Sequence, residues 1–89
     1  ASNNKILGVI YFFSQGNIQE ALEILNILIE KNPKDALLFN MLGGCFASIG
    51  RTEMAIENYQ KVSNMKKEKK NIESLTHLLF VAKNINLLT

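Results

Sequence analysis

Two side chains in this sequence have the chemistry of a nucleophile or a general base, Cys45 and His77, and they stand 32 residues apart. Hydrolysis or group transfer needs a nucleophile, a base and an oxyanion donor in one pocket. Cys45 falls between Phe39 and Phe46 on an apolar stripe of helical spacing, where a free cysteine packs as a small hydrophobe. His77 stands alone, and a zinc site wants clustered Cys and His ligands. Gly43-Gly44 lies inside a helical pattern and Gly50 is not followed by Gly-Lys-Ser/Thr, so neither builds a phosphate cradle. Among the eight carboxylates only Glu20/Glu23 and Glu53/Glu57 neighbour one another, near helix starts where negative charge is favourable anyway. The sequence therefore predicts no enzyme, no metal and no cofactor. The run Lys66-Lys67-Glu68-Lys69-Lys70 could dock phosphate or an acidic peptide. Its plainer reading is a solvated junction after a fourth helix, with lysines complementing the C-terminal dipole.

The 89 residues are 47% hydrophobic and 20% charged, which predicts one folded domain over residues 1–89. The formal charge of +2 is too small to argue for nucleic acid. Polar residues interrupt every apolar stretch before 18 positions, so no membrane insertion is expected. A lone Cys45 fits a reducing, cytoplasmic setting. No basic-then-apolar signal opens the chain, and its start at Ala1 reads as a fragment or a processed product.

The chain repeats itself. Gly16 and Gly50 lie 34 residues apart, as do Ala21 and Ala55, Phe12 and Phe46, Leu25 and Tyr59, and Leu28 and Val62. A further step carries Phe46 to Phe80 and Gly50 to Asn84. Each unit reads as two helices about a turn. The first unit has one helix from about Asn3 to Gln15, a break at Gly16-Asn17, and a second helix to Lys31, closed by Asn32-Pro33. In the second unit Asp35 caps a helix whose buried face is Leu38, Phe39, Leu42, Cys45, Phe46 and Ile49. Gly50 ends that helix, and Thr52 caps the next, with Ala55, Ile56, Tyr59 and Val62 facing inward. A fifth helix is expected from near Glu68 to about Leu87. The fold class is all-α, with about five helices.

A 34-residue helical hairpin with a Leu-Gly pair, an aromatic, a turn Gly, an Ala, a second aromatic and a closing Pro resembles the tetratricopeptide repeat. The second unit carries Phe39 in place of the family's Trp, then Leu42, Gly43, Phe46, Gly50, Ala55 and Tyr59. Lys67 stands where the family usually has Pro. The first unit keeps Phe12, Gly16, Ala21 and Pro33, with Lys5 at the Trp position and Val9 at the small one. The resemblance implies a short right-handed solenoid: one repeat over about 2–35, a second over 36–69, and a capping helix over 70–88. Gly43 and Ala55 are then small because antiparallel helices cross closely. Phe12, Phe46 and Tyr59 are large because they fill the gap between hairpins.

The family's binding surface is the concave face lined by the first helix of each hairpin. Its exposed positions map to Asn3, Ile6, Ile10, Phe13 and Ser14, then Leu37, Asn40, Gly44, Ala47 and Ser48, then Asn71, Ser74, Leu78 and Val81. Family members that act as chaperone adaptors grip a C-terminal carboxylate there with Lys, Asn and Arg. The matching positions here hold Ile6, Ile10, Met41, Asn71 and Leu75, so the clamp is missing. An apolar groove suits a helical protein partner; it equally suits packing against further repeats. Three functions stay open: a protein-interaction scaffold, an oligomerisation segment joining two chains through their solenoid ends, and an RNA-binding helical array. The 34-residue step and the lack of a basic groove count against the third, so no nucleic acid is expected. Leu75, Leu78, Leu79, Val81, Ala82, Ile85, Leu87 and Leu88 spread over more than one helix face, which predicts a homodimer or a bound subunit at residues 72–88.

Overall fold

A computed structural model of the chain describes residues 2–88, with the side chains of residues 4–83. Four helices follow in order: α1 (Ser2–Ser14), α2 (Ile18–Lys31), α3 (Ala36–Ser48) and α4 (Thr52–Leu88). The all-α class is as expected, and the described residues contain no strand. Each helix packs chiefly on its neighbours in sequence, α1 on α2, α2 on α3 and α3 on α4. That is the connectivity of stacked hairpins, whose contacts are local.

The turns explain the 34-residue period. Gly16 and Gly50 are the positive-φ residues among those described, at 77° and 80°. At the first turn Asn17 N–H donates to Phe12 O at 2.8 Å and Gly16 N–H to Phe13 O at 3.1 Å. At the second, Arg51 N–H donates to Phe46 O at 2.9 Å and Gly50 N–H to Ala47 O at 3.1 Å. Both pairs are the Schellman pattern, which satisfies the last carbonyls of a helix through a left-handed residue that glycine adopts without a Cβ clash. Between the hairpins α2 stops differently. Pro33 denies the helix its next N–H, Asn32 Nδ2 donates to Leu28 O at 3.2 Å, and Asp35 N–H closes a turn on Asn32 O at 3.2 Å. The Asp35 carboxylate then accepts from Leu37 N–H at 3.1 Å, capping α3 as expected. Thr52, expected as a cap, is instead the first residue of α4, with Arg51 O accepting from Ala55 N–H.

The fourth and fifth helices expected from the sequence are one. α4 runs unbroken for 37 residues, about 55 Å at 1.5 Å per residue. The position one period after Asn32-Pro33 is Lys66-Lys67, and a segment Ser63 to Asn71 without Gly or Pro gives no reason to stop. The radius of gyration is 18.4 Å, against about 12 Å for a compact chain of this length. Residues 66–83 are all exposed, so the segment expected to cap the solenoid projects from it. The basic run accordingly lies in mid-helix, and its lysines have no helix end to complement.

The core joins α1, α2 and α3 with the first half of α4: Val9, Ala21, Leu25, Leu28, Leu38, Phe39, Leu42, Cys45 and Val62 are buried together. Ile6, Phe12 and Phe46 pack partly buried against it. Ile49, expected on the buried face of α3, caps its end and is exposed. On α4 the expected inward stripe turns by about one position. Ala55 and Val62 are buried as expected, but Ile56 and Tyr59 are half exposed, and Asn58 and Met65 take the inner face. Tyr59 lies over its own hairpin, not in the gap beyond it: a Cβ added to Gly43 would sit 2.7 Å from the ring. Asn58 is 4% exposed; its Nδ2 donates to Met54 O at 2.8 Å, while its Oδ1 accepts nothing.

Gly43→Leu should lower stability by about 1–3 kcal/mol, since the Tyr59 ring and α4 must both move. Gly43→Ala separates the causes. In a Tyr59→Ala background the obstacle is gone, and the alanine should stabilise by about 0.5–1 kcal/mol through helix propensity alone. Urea midpoints of the four-member cycle measure the coupling, and additive effects would show that the ring does not require glycine. Asn58→Leu removes an unsatisfied buried oxygen and should raise stability by about 1 kcal/mol; a lower urea midpoint would mean that the amide holds α4 in register.

Candidate protein-binding groove

α1 and α3 occupy equivalent places in successive hairpins, and a cleft opens between them. It is lined by Val9, Ile10 and Phe13 from α1 and by Met41, Gly44 and Cys45 from α3, and holds about 200 Å³. The shape follows from residue size. One period separates Ile10 from Gly44 and Phe13 from Ala47, so large side chains of α1 stand beside a hollow in α3. Ile10 is 52% exposed and Phe13 43%, which leaves the apolar wall open to solvent. Cys45 forms the floor at 1% exposure. Burial pushes its thiol pKa up, away from the thiolate that a nucleophile or ligand requires.

The cleft gathers part of the expected surface. Ile10, Phe13 and Gly44 line it, and Ile6 packs partly buried against the adjoining core. Leu37, Asn40 and Ala47 are exposed on α3 outside the lining. Ser14 Oγ and Ser48 Oγ each donate at 2.7 Å to a carbonyl of their own helix, Tyr11 O and Cys45 O, and so do not compete for a ligand. Asn71, Ser74, Leu78 and Val81 sit on the projecting half of α4, exposed and away from the cleft. Asn3, Ile85, Leu87 and Leu88 lie outside the described side chains. The sequence reading missed Val9 as a lining residue, whereas Met41, which it placed at a clamp position of the concave face, does line the cleft. Met41 was legible, lying four residues after Leu37 and three before Gly44, on the face those two define.

No charged side chain borders the cleft. The mixed charges gather elsewhere, where Lys34, Asp35, Lys66, Glu68, Lys69 and Glu73 surround an open notch of about 700 Å³ at the α2–α3 turn. Lys61 Nζ stands 5.5 Å over the Phe39 ring and ties α4 to α3, a contact worth roughly 0.5–1 kcal/mol at an exposed site. His77 is exposed on α4 while Cys45 is buried at the cleft floor, so the two reactive side chains do not meet. Among the described residues no three His, Cys, Asp or Glu side chains gather around a possible metal position. No helix among them is long and apolar enough to cross a membrane.

Comparison with known proteins agrees with the helical-hairpin fold. Residues 6–35 match the family model described as tetratricopeptide repeat. The chain is similar to the Hsp70-Hsp90 organising protein of Plasmodium falciparum, 36% identical over 56 residues that make up 63% of this chain and 22% of that protein. The same identity and span recur with the protein of that name from isolate 3D7, of which the match covers 10%. The chain thus spans a small part of the curated relatives it matches. No solved structure matches it significantly. The hairpin of α1 and α2, with its Schellman glycine and closing proline, is a tetratricopeptide repeat.

Proposed function

We propose that the chain is a non-enzymatic protein-interaction module of the cytoplasm that holds one apolar face of a partner helix in the groove between α1 and α3. The open apolar cleft at Ile10, Phe13, Met41 and Gly44 carries this reading. Its volume of about 200 Å³ falls below the 300–1,000 Å³ usual for a small-molecule site. It is suited to one or two side chains of a larger ligand. Amphipathic helices bind in this way, with anchors at three- and four-residue spacing entering an apolar groove. The similarity to a protein named for organising Hsp70 and Hsp90 supports a role in joining proteins. The ligand differs from the carboxylate tail that the family's clamp grips, because Ile6, Ile10 and Met41 stand at clamp positions and offer no cation. Leu37, exposed on α3, extends the same apolar surface.

The test begins with an amphipathic helical peptide selected on the wild-type chain from a displayed library. Burying an anchor of this size contributes roughly 1.5–3 kcal/mol, so Ile10→Asp or Phe13→Asp should weaken binding about ten- to a hundredfold. Lys66→Glu and Lys69→Glu should change affinity little, and mainly at low salt. Calorimetric titration of each variant, after circular dichroism has established that it is folded, gives the comparison. Binding that survives both aspartates and fails with the lysine changes would assign recognition to charge on α4.

A further inference from the structure

Two glycines stand side by side in α3, and its packing requires only one of them. Neither takes a positive φ, and glycine weakens a helix interior, where only proline is a poorer choice. Gly43 has a packing reason, because a Cβ there would sit 2.7 Å from the Tyr59 ring. Gly44 has none. Beyond its own helix, a Cβ there would meet one atom within 4 Å, Tyr59 Oη at 3.9 Å, which is ordinary contact. What Gly44 does is line the cleft between α1 and α3. One period earlier Ile10 fills the same place on α1, so the hollow is the volume of a side chain that α3 lacks.

We propose that Gly44 makes the groove selective for phenylalanine: the ring of a phenylalanine on the partner helix sits over Gly44, where a larger residue of α3 would exclude it. This rests on the reading of the groove as a site for a partner helix, and it names the anchor. Size admits the ring. A closed apolar cavity of about 150 Å³ holds benzene, and the cleft offers about 200 Å³. The walls then choose among apolar anchors. Phe13 presents a ring, which favours edge-to-face contact with a second ring. The Met41 thioether packs favourably at a ring edge. No lining side chain carries oxygen or nitrogen, so the hydroxyl of tyrosine or the N–H of tryptophan would enter without a partner. Leucine would fit the space and forgo both ring contacts.

An amphipathic helical library with its central apolar position randomised, selected on the 89-residue chain, tests the anchor, and phenylalanine should dominate there. Selected peptides carrying Phe, Leu or Ala at that position are then titrated against the wild type, Gly44→Ala and Gly44→Leu. On the wild type the Phe peptide should bind about ten- to a hundredfold tighter than the Ala peptide. Its lead over the Leu peptide should be about two- to tenfold. One added methyl group in an apolar pocket shifts affinity about tenfold or more. Gly44→Ala should therefore weaken the Phe peptide by that factor and erase its lead over leucine, and Gly44→Leu should abolish binding. Gly44→Ala should also raise the urea midpoint, since alanine favours the helix; a merely structural glycine would not move stability and affinity in opposite directions. A lower midpoint, an unchanged Phe affinity on Gly44→Leu, or equal Phe and Leu affinities on the wild type would each overturn the proposal. If Ile10→Asp still abolishes binding in those cases, the groove reading stands without it. A library that yields no binder, or only binders indifferent to Ile10→Asp, removes both.

Discussion

A helix in this chain continues until stopping becomes cheaper than going on, and the architecture depends on where that happens. At Gly16 and Gly50 the left-handed residue lets amides of the next segment return to carbonyls left open by the helix. At Pro33 the missing N–H and the ring make another turn of helix cost about 3 kcal/mol. Those three stops cut the chain into antiparallel pieces of 13 or 14 residues, short enough that none would be stable alone. Packing of the apolar stripes between them then becomes the source of stability. Where the stops cease, at Lys66-Lys67, the fold opens into a rod.

The first three helices were legible in the sequence because local and long-range signals agree there. Glycine at each turn, Pro33 and the cap at Asp35 coincide with the ends of apolar stripes, and the same pattern returns after one period. The length of α4 was not read, since the period was extended past its last supporting residue. Lys67 already stood in the place of the proline that would have broken the helix. The rotation of α4 was hidden for another reason. Asn58 is a polar residue on a buried face, and pattern reading assigns such a face to Ile56 and Tyr59. The hydrogen bond from its amide to Met54 O meets part of the cost of burial.

The groove shows the same division. Its α1 wall and Gly44 follow from the period and from helical geometry, because first helices of successive hairpins lie side by side. The contribution expected from Leu78 and Val81 required a fold-back that this chain does not make. What remains is a cleft whose character is set by absence of charge and by disparity in size, large residues on α1 against small ones on α3. The thiol at its floor is buried, and burial raises its pKa, so it packs there as a small apolar side chain.

The long helix also divides the molecule thermodynamically. Up to about Met65 its residues share the fate of the core, through Ala55, Val62 and the seat of Tyr59 on Gly43. From Ser74 to Lys83 every side chain is exposed and none lines the notch at the α2–α3 turn, so this stretch rests on its own helical bonds; an isolated helix of about 20 residues relaxes in about a microsecond or less. One continuous element therefore holds two regimes of motion, and amide protons along it should pass from globally protected to freely exchanging within a few turns of the lysine run. Rooted in the core, the rod depends from Ser74 to Lys83 on its own helical bonds.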